Sequence, residues 1–232
     1  RLAAAHAIHH AQHRKAFGLP LFEQPVMRSV LADLSLEAMA ATAMAFEITN
    51  TYELDKVDKN QPAFARLCTA IGKYWICKRA PIAVTEAMEC HGGNGFVKPH
   101  LMARLYTEAP LNSIWEGSGN VICLDVLRTL SKSPELVDVF LAHVRRGCSD
   151  LEQSHPFIES LACRLRCDTP SLEARRIVEE MALLLQAGAL RRFSNRHIAE
   201  SFVRARMIDR GLGIGALSGK HPLDALIAGV CS

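Results

Sequence analysis

An all-α fold is predicted for this chain of 232 residues, and three observations predict it. Apolar residues make up 49% of the sequence but aromatics only 6%, so a core must be built mainly from Ala, Leu and Ile, small and branched side chains that pack between helices. Apolar positions recur at three- and four-residue intervals over long stretches. Gly, Pro and short polar runs separate those stretches, while alternating apolar and polar runs are weak throughout.

The elements follow in order. Residues 1–15 form a helix that stops at Phe17-Gly18-Leu19-Pro20, where Gly and Pro punctuate. A long helix is expected over 25–54, carried by Val30, Leu31, Leu34, Met39, Ala43, Phe46 and Ile48. Asp55 to Asn60 is polar and reads as a turn. Pro62 suits the first turn of a second long helix, in which Phe64, Leu67, Ile71, Trp75 and Ile76 recur at helical spacing. His91-Gly92-Gly93-Asn94-Gly95 ends that helix. A short helix over about 100–106 leads to a glycine-containing loop, and another helix over 118–130 leaves it. Ser133-Pro134 restarts a helix over about 134–153 and divides the chain into residues 1–132 and an extension, 133–232. Helical patterns recur at 171–189 and 194–209. Gly211 to Gly219 form a loop before a short terminal helix. Arg1 opens within a helical pattern and without a cap, so the chain is expected to be one part of a longer protein.

Composition excludes several classes. A net charge of +3 is too small to imply a nucleic-acid partner by itself. The eight cysteines are scattered, mostly through apolar helical runs, and read as buried free thiols of a reducing cytoplasm rather than as a disulfide framework. No run of 18 apolar residues occurs, so no membrane span is expected. His6/His10, His9/His13 and Cys163/Cys167 have the i,i+4 spacing of helical metal ligands, but further ligands are not evident and no metal is expected.

Chemistry concentrates in Asn112-Ser113-Ile114-Trp115-Glu116-Gly117-Ser118-Gly119-Asn120. One carboxylate stands beside a large aromatic, then two glycines precede a helix. A Glu held against an indole is a candidate general base with a raised pKa. Glycines let backbone approach a ligand, and the following helix aims its N-terminal amides at it. The plainer reading is a helix start capped by Ser118. Arginine crowds the extension at positions 191, 192, 196, 204, 206 and 210. That cluster is either a solvated helical face or a surface for a phosphate-rich partner.

Three motifs arrive in a fixed order: Arg14-Lys15-Ala16-Phe17-Gly18 followed by Gln24, then Gly92-Gly93-Asn94-Gly95-Phe96, then Trp115-Glu116-Gly117-Ser118-Gly119-Asn120. In this order they resemble the C-terminal helical domain of the acyl-CoA dehydrogenase family. Glu89-Cys90-His91 and Asn112-Ser113-Ile114-Trp115 are most similar to the AidB-like branch, linked to the bacterial adaptive response to DNA alkylation. The resemblance covers residues 1–131, with the extension matching more weakly. It implies FAD as cofactor, an acyl-CoA type substrate, a homotetramer or homodimer, and an N-terminal and a middle domain outside this chain. Glu116 falls on the catalytic base, and Trp115 would wall it with apolar surface. Arg14 and Phe17 match the segment that reaches a neighbouring subunit's FAD, and Gln24 its contact with the adenosine half. Gly92 and Gly93 match the turn that approaches FAD, and Ser118 and Asn120 the groups that touch it beside the base. Glu89 stands where the family has Gln, and Ala16 where it often has a hydroxyl; both weaken contact with phosphate. The resemblance carries a second implication, double-stranded DNA held by Arg128, Arg191, Arg192 and Arg196 in a flavoprotein with little dehydrogenase activity.

Overall fold

The computed structural model, which describes residues 1–53, 60–167, 171–211, 213–217 and 221–231, is framed by two helices of 29 residues each. In chain order the elements are α1 (Leu2–His13), a hairpin of β1 (Lys15–Ala16) and β2 (Leu19–Pro20), α2 (Pro25–Glu53) and α3 (Gln61–Glu89). Then come α4 (Gly93–Phe96), α5 (Leu101–Glu108), α6 (Gly119–Lys132), α7 (Glu135–Gly147), α8 (His155–Arg166), α9 (Ala174–Phe193), α10 (Arg196–Val203) and α11 (Leu223–Cys231). The predicted all-α class holds, with the four hairpin residues the only sheet among the described residues.

α2 is buried almost all round from Leu31 to Ala40, as a helix enclosed by others must be. It packs against α3, α9 and α11. α9 in turn lies against α3, α6, α7 and α10, so one apolar core runs from Ala3 to Val230. By length and composition α2 is also apolar enough to cross a membrane, which the absence of an 18-residue apolar run had not led us to expect. Its apolarity serves this core instead, since 61% of the most apolar window is buried.

Buried charge ties the extension to α2. Asp33 and Glu37 lie inside the core; Arg206 donates to Asp33 (2.5 Å) and Glu37 (3.1 Å), and Arg79 of α3 donates to both Glu37 oxygens at 2.9 Å. Those cations outweigh burial and hold the Glu37 carboxyl below its usual range. Farther along α2, Glu47 takes His143 of α7 (3.0 Å) and Arg192 of α9 (3.3 Å). Trp75 donates its indole N–H to Gln186 at 2.8 Å, joining α3 to α9.

Several sequence expectations need correction. The helix expected to run to residue 153 ends at Gly147, whose backbone abuts Gly188 of α9 so closely that a Cβ would lie 3.1 Å from the Gly188 Cα. Residues 155–166, not read as helix, form α8. The pattern at 194–209 is α10 followed by a π-helical turn at Arg204–Ile208. The first helix stops at His13 rather than residue 15 because Lys15 and Ala16 enter the hairpin. Of the polar run at 55–60, only Asn60 is among the described residues; of the loop at 211–219, residues 212, 218 and 219 lie outside them.

Cysteine burial is split. Cys68, Cys90, Cys123 and Cys148 are buried, Cys77 is half-buried, and Cys163 and Cys167 are exposed, against the expectation of buried thiols. Burial pushes the Cys90 thiol up to about 12 and those of Cys123 and Cys148 up to about 11.

Candidate active site

Two non-glycine residues have positive φ among the described residues, Phe17 and Glu116, both at +54°. Both fall in the sequence motifs. An L-residue held there stores strain, and such strain gathers at functional sites.

Glu116 ends the loop between α5 and α6, and Gly117 (φ +104°) continues the turn that only glycine enters readily. Lys73 of α3 fixes this loop from behind: its Nζ donates to Trp115 O (2.8 Å) and to Gly117 O (2.6 Å). The carbonyls on both sides of Glu116 are therefore held, and its side chain faces outward. α6 starts on Ser118, but no side-chain hydrogen bond from Ser118 caps it. The helix thus leaves its first-turn amide end for an outside acceptor. Gly119 permits this start: a Cβ there would sit 2.9 Å from Lys78 Cε and 3.2 Å from the Tyr74 ring. Ser118 and Asn120 are both exposed beside Glu116. The indole of Trp115 is 55% exposed and forms no apolar enclosure within this chain, which corrects the expected wall. A groove of about 590 Å³ opens next to Glu116, lined by Tyr52, Arg66, Lys73, Val121 and Arg128 among others.

A second cluster forms where α1 meets the end of α3. Phe17 and Gly18 (φ +86°) are the two tip residues of the hairpin, whose register pairs Ala16 with Leu19. That is a tight turn in which position one rarely holds a bulky residue. The Phe17 ring is 99% exposed. Gln24 donates its side-chain amide to Ala16 O at 3.0 Å, bracing the hairpin. Across from it, the His10 and His91 rings stack with centroids 4.6 Å apart, so α1 and the glycine turn meet. Burial, His91 and Arg14 together push the His10 imidazole below its usual 6.5. Arg14 is exposed beside this junction. At Gly92 and Gly93 an added Cβ would meet nothing within 4 Å, so the backbone there faces open space. Gly95 is different: a Cβ would fall 2.2 Å from Met88 O.

α3 spans both clusters. From Lys73 to Glu89 are sixteen residues, about 24 Å of helix. The structure therefore assembles Arg14, Phe17, Gln24, Gly92 and Gly93 at one end, and Glu116, Ser118 and Asn120 at the other. Lys73 and the His10–His91 stack were missed by sequence reasoning, and no local signal announces contacts over 42 or 81 residues.

Four of the six clustered arginines form ion pairs, Arg206 with Asp33 and three others. Arg191 pairs with Asp150 (2.7 Å), Arg192 with Glu47, Arg196 with Glu200 (2.7 Å) and Arg128 with Asp125 (3.0 Å). No group of three metal-ligating side chains occurs among the described residues, Cys163/Cys167 and the α1 histidines included.

Helical fold and motif-bearing loops together define an all-α domain of the dehydrogenase C-terminal type. The family model for the acyl-CoA dehydrogenase C-terminal domain matches residues 1–131, and the chain belongs to that family. It is 35% identical over 237 residues to the AidB protein of Escherichia coli (strain K12), covering 100% of this chain and 42% of that one. The solved structure of Caenorhabditis elegans ACDH-11 in complex with C11-CoA has a TM-score of 0.74 at 22% identity, over 88% of this chain and 39% of that one. A Bacillus anthracis acyl-CoA dehydrogenase complexed with FAD has a TM-score of 0.62 at 14% identity, over 88% and 40%. The chain thus spans less than half the length of these relatives.

Proposed function

We propose that this chain is the C-terminal part of an FAD-dependent acyl-CoA dehydrogenase-like oxidoreductase in which Glu116 removes the α-proton of an acyl thioester. The observation that carries this reading is the Glu116 backbone, held at φ +54° while Lys73 grips the carbonyls before and after it. A loop strained and pinned at a single carboxylate suits a base that must not wander.

FAD fits what the chain offers. Open backbone at Gly92 and Gly93, the exposed Arg14 cation and the projecting Phe17 ring suit a dinucleotide's phosphates and rings. Ser118, Asn120 and the uncapped start of α6 suit its reactive half. FAD bound there would supply the acceptor for the hydride of the β-carbon. This chain's part is to hold the carboxylate of Glu116 toward the α-carbon and accept the proton on one of its oxygens. Glu116 stands exposed in this chain, so the surface that would exclude water from it comes from the further domains and from substrate. The two clusters lie at opposite ends of α3, and in an oligomer each would hold a different flavin. Arg66, in the groove beside Glu116, suits the charged part of an acyl-CoA. Contact with DNA, the second reading, retains Arg128, Arg191, Arg192 and Arg196 as its residues, but each already faces an acid of this chain.

The test is anaerobic mixing of the purified full-length flavoprotein with a panel of acyl-CoAs. Bleaching of the flavin absorbance that falls by roughly 10²–10⁴-fold in rate in Glu116→Gln supports the reading. Bleaching that survives the substitution sinks it.

A further inference from the structure

Outside the flavin-linked region, the extension holds an open cavity of about 670 Å³ between the start of α10 and the start of α11. Its volume lies in the range of small-molecule sites. Polar groups converge on it: Glu152, Asn195, Arg196, Ser201, Arg204 and His221. Two of the six are engaged within the chain. Arg196 pairs with Glu200, and Asn195 caps α10 by accepting from Ile198 N at 3.0 Å.

Of the remaining four, Arg204 and His221 are the nitrogen-bearing groups. His221 is 93% buried by its 7% exposure, yet its Nε2 has no hydrogen-bond partner among the described residues. Buried polar atoms left without partners are few in folded proteins, and each calls for an explanation. Arg204 is half-buried, and its guanidinium has no ion pair or hydrogen bond among the described residues. It differs in this from Arg191, Arg192, Arg196 and Arg206, all of which are paired. Arg204 also opens the π-helical turn Arg204–Ile208, the one such turn among the described residues. Turns of this kind recur at functional sites because they re-aim a side chain at some cost to the helix.

The charges around His221 are Arg204, Arg206, Asp209 and Asp33. Burial first, then Arg204, push its imidazole below the usual value, so the ring is neutral near pH 7 and one ring nitrogen carries a donor N–H. A neutral N–H donor inside and an unpaired guanidinium beside it both seek acceptor oxygens. We infer that this cavity binds a small oxyanion-bearing metabolite, a phosphate or a carboxylate, with Arg204 and His221 as its donors. This site stands apart from the flavin chemistry and does not depend on it.

Calorimetric titration of the full-length flavin-loaded protein tests this, using inorganic phosphate, adenosine monophosphate and citrate in turn, with sodium chloride as the ionic-strength control. One saturable site per chain for at least one of the three is expected, weakened at least tenfold in both Arg204→Gln and His221→Phe. Arg196→Gln, which removes a cation already paired, leaves the affinity within about twofold. Response to both phosphate probes identifies a phosphorylated ligand, and response to citrate alone a carboxylate. Circular dichroism confirms that each variant is folded, and a variant that fails to fold is replaced by Arg204→Lys, which keeps the charge but loses the fork and is expected to weaken binding severalfold. Absence of saturable binding up to about 10 mM, well above a ~1 mM Kd, overturns the inference. So does equal affinity in Arg204→Gln, which would mean that the probes sit elsewhere.

Discussion

The two ends of α3 carry the same backbone strain in opposite settings. At the Lys73 end, Glu116 is left-handed and the loop around it is gripped through two carbonyls. At the Glu89 end, Phe17 is equally left-handed, but its ring touches almost nothing, and the hairpin relies on the Gln24 brace. One strained residue is fixed by its own chain, whereas the other projects away from it. Under the proposed function, strain fixed locally would serve positioning, and strain that projects an apolar ring into solvent would serve reaching.

The comparison can be broken at either end. The largest effect is expected from Gly95→Ala, whose Cβ would strike Met88 O. It should cost about 2–3 kcal/mol in denaturant unfolding and distort the glycine turn beside the hairpin. Next, Lys73→Met removes both donors to the Glu116 loop. Turnover of the full-length protein should fall about tenfold to a hundredfold with a smaller change in KM, since position is lost and not binding. Equal loss in kcat and in flavin content would instead mean that Lys73 serves general stability. Phe17→Gly relieves the strain while deleting the projecting ring. Thermal stability should change by less than about 1 kcal/mol, because relief of strain and greater freedom of the unfolded chain oppose each other. Flavin retention after gel filtration should nonetheless drop.

The smallest effect is a pH slope at the His10–His91 junction. The folded state holds the His10 imidazole below 6.5, so between that lowered value and 6.5 the unfolded chain binds the proton more readily. The contribution of this contact is therefore complete above pH 6.5 and declines as the pH falls toward the folded value. Urea midpoints measured from pH 7.5 down to pH 5 should drop less steeply in His10→Gln than in the unmodified chain.

Much of this frame was legible from spacing alone. α2 begins at Pro25 as expected, and α3 carries Pro62 in its first turn, because a long apolar period and a proline mark such starts without help from the rest of the fold. The motifs also located Phe17 and Glu116, though nothing in the sequence announced their left-handed backbones. Errors fell where tertiary contact overrides local pattern. Apolar spacing continues past Gly147 to Leu151, but Gly147 presses on Gly188, and the helix stops there. α8 went unread because its apolar side is short, with only Ile158, Leu161 and Ala162 buried. The arginine cluster looked like an external patch because two of its acids, Asp150 and Glu47, lie 41 and 145 residues away in sequence. Sequence adjacency places Trp115 beside Glu116, yet its ring is turned to solvent at 55% exposure.

The split among the cysteines has a use of its own. Cys68, Cys90, Cys123 and Cys148 are shielded and held protonated, while Cys163 and Cys167 lie open to solvent. A maleimide applied briefly to the native protein would therefore label the two ends of one short surface stretch and leave those four untouched. Each of the four sits on a different part of the core, on α3, at the end of α3, on α6 and just after α7. The order in which they yield under slow heating would record, thiol by thiol, which seam of the bundle parts first.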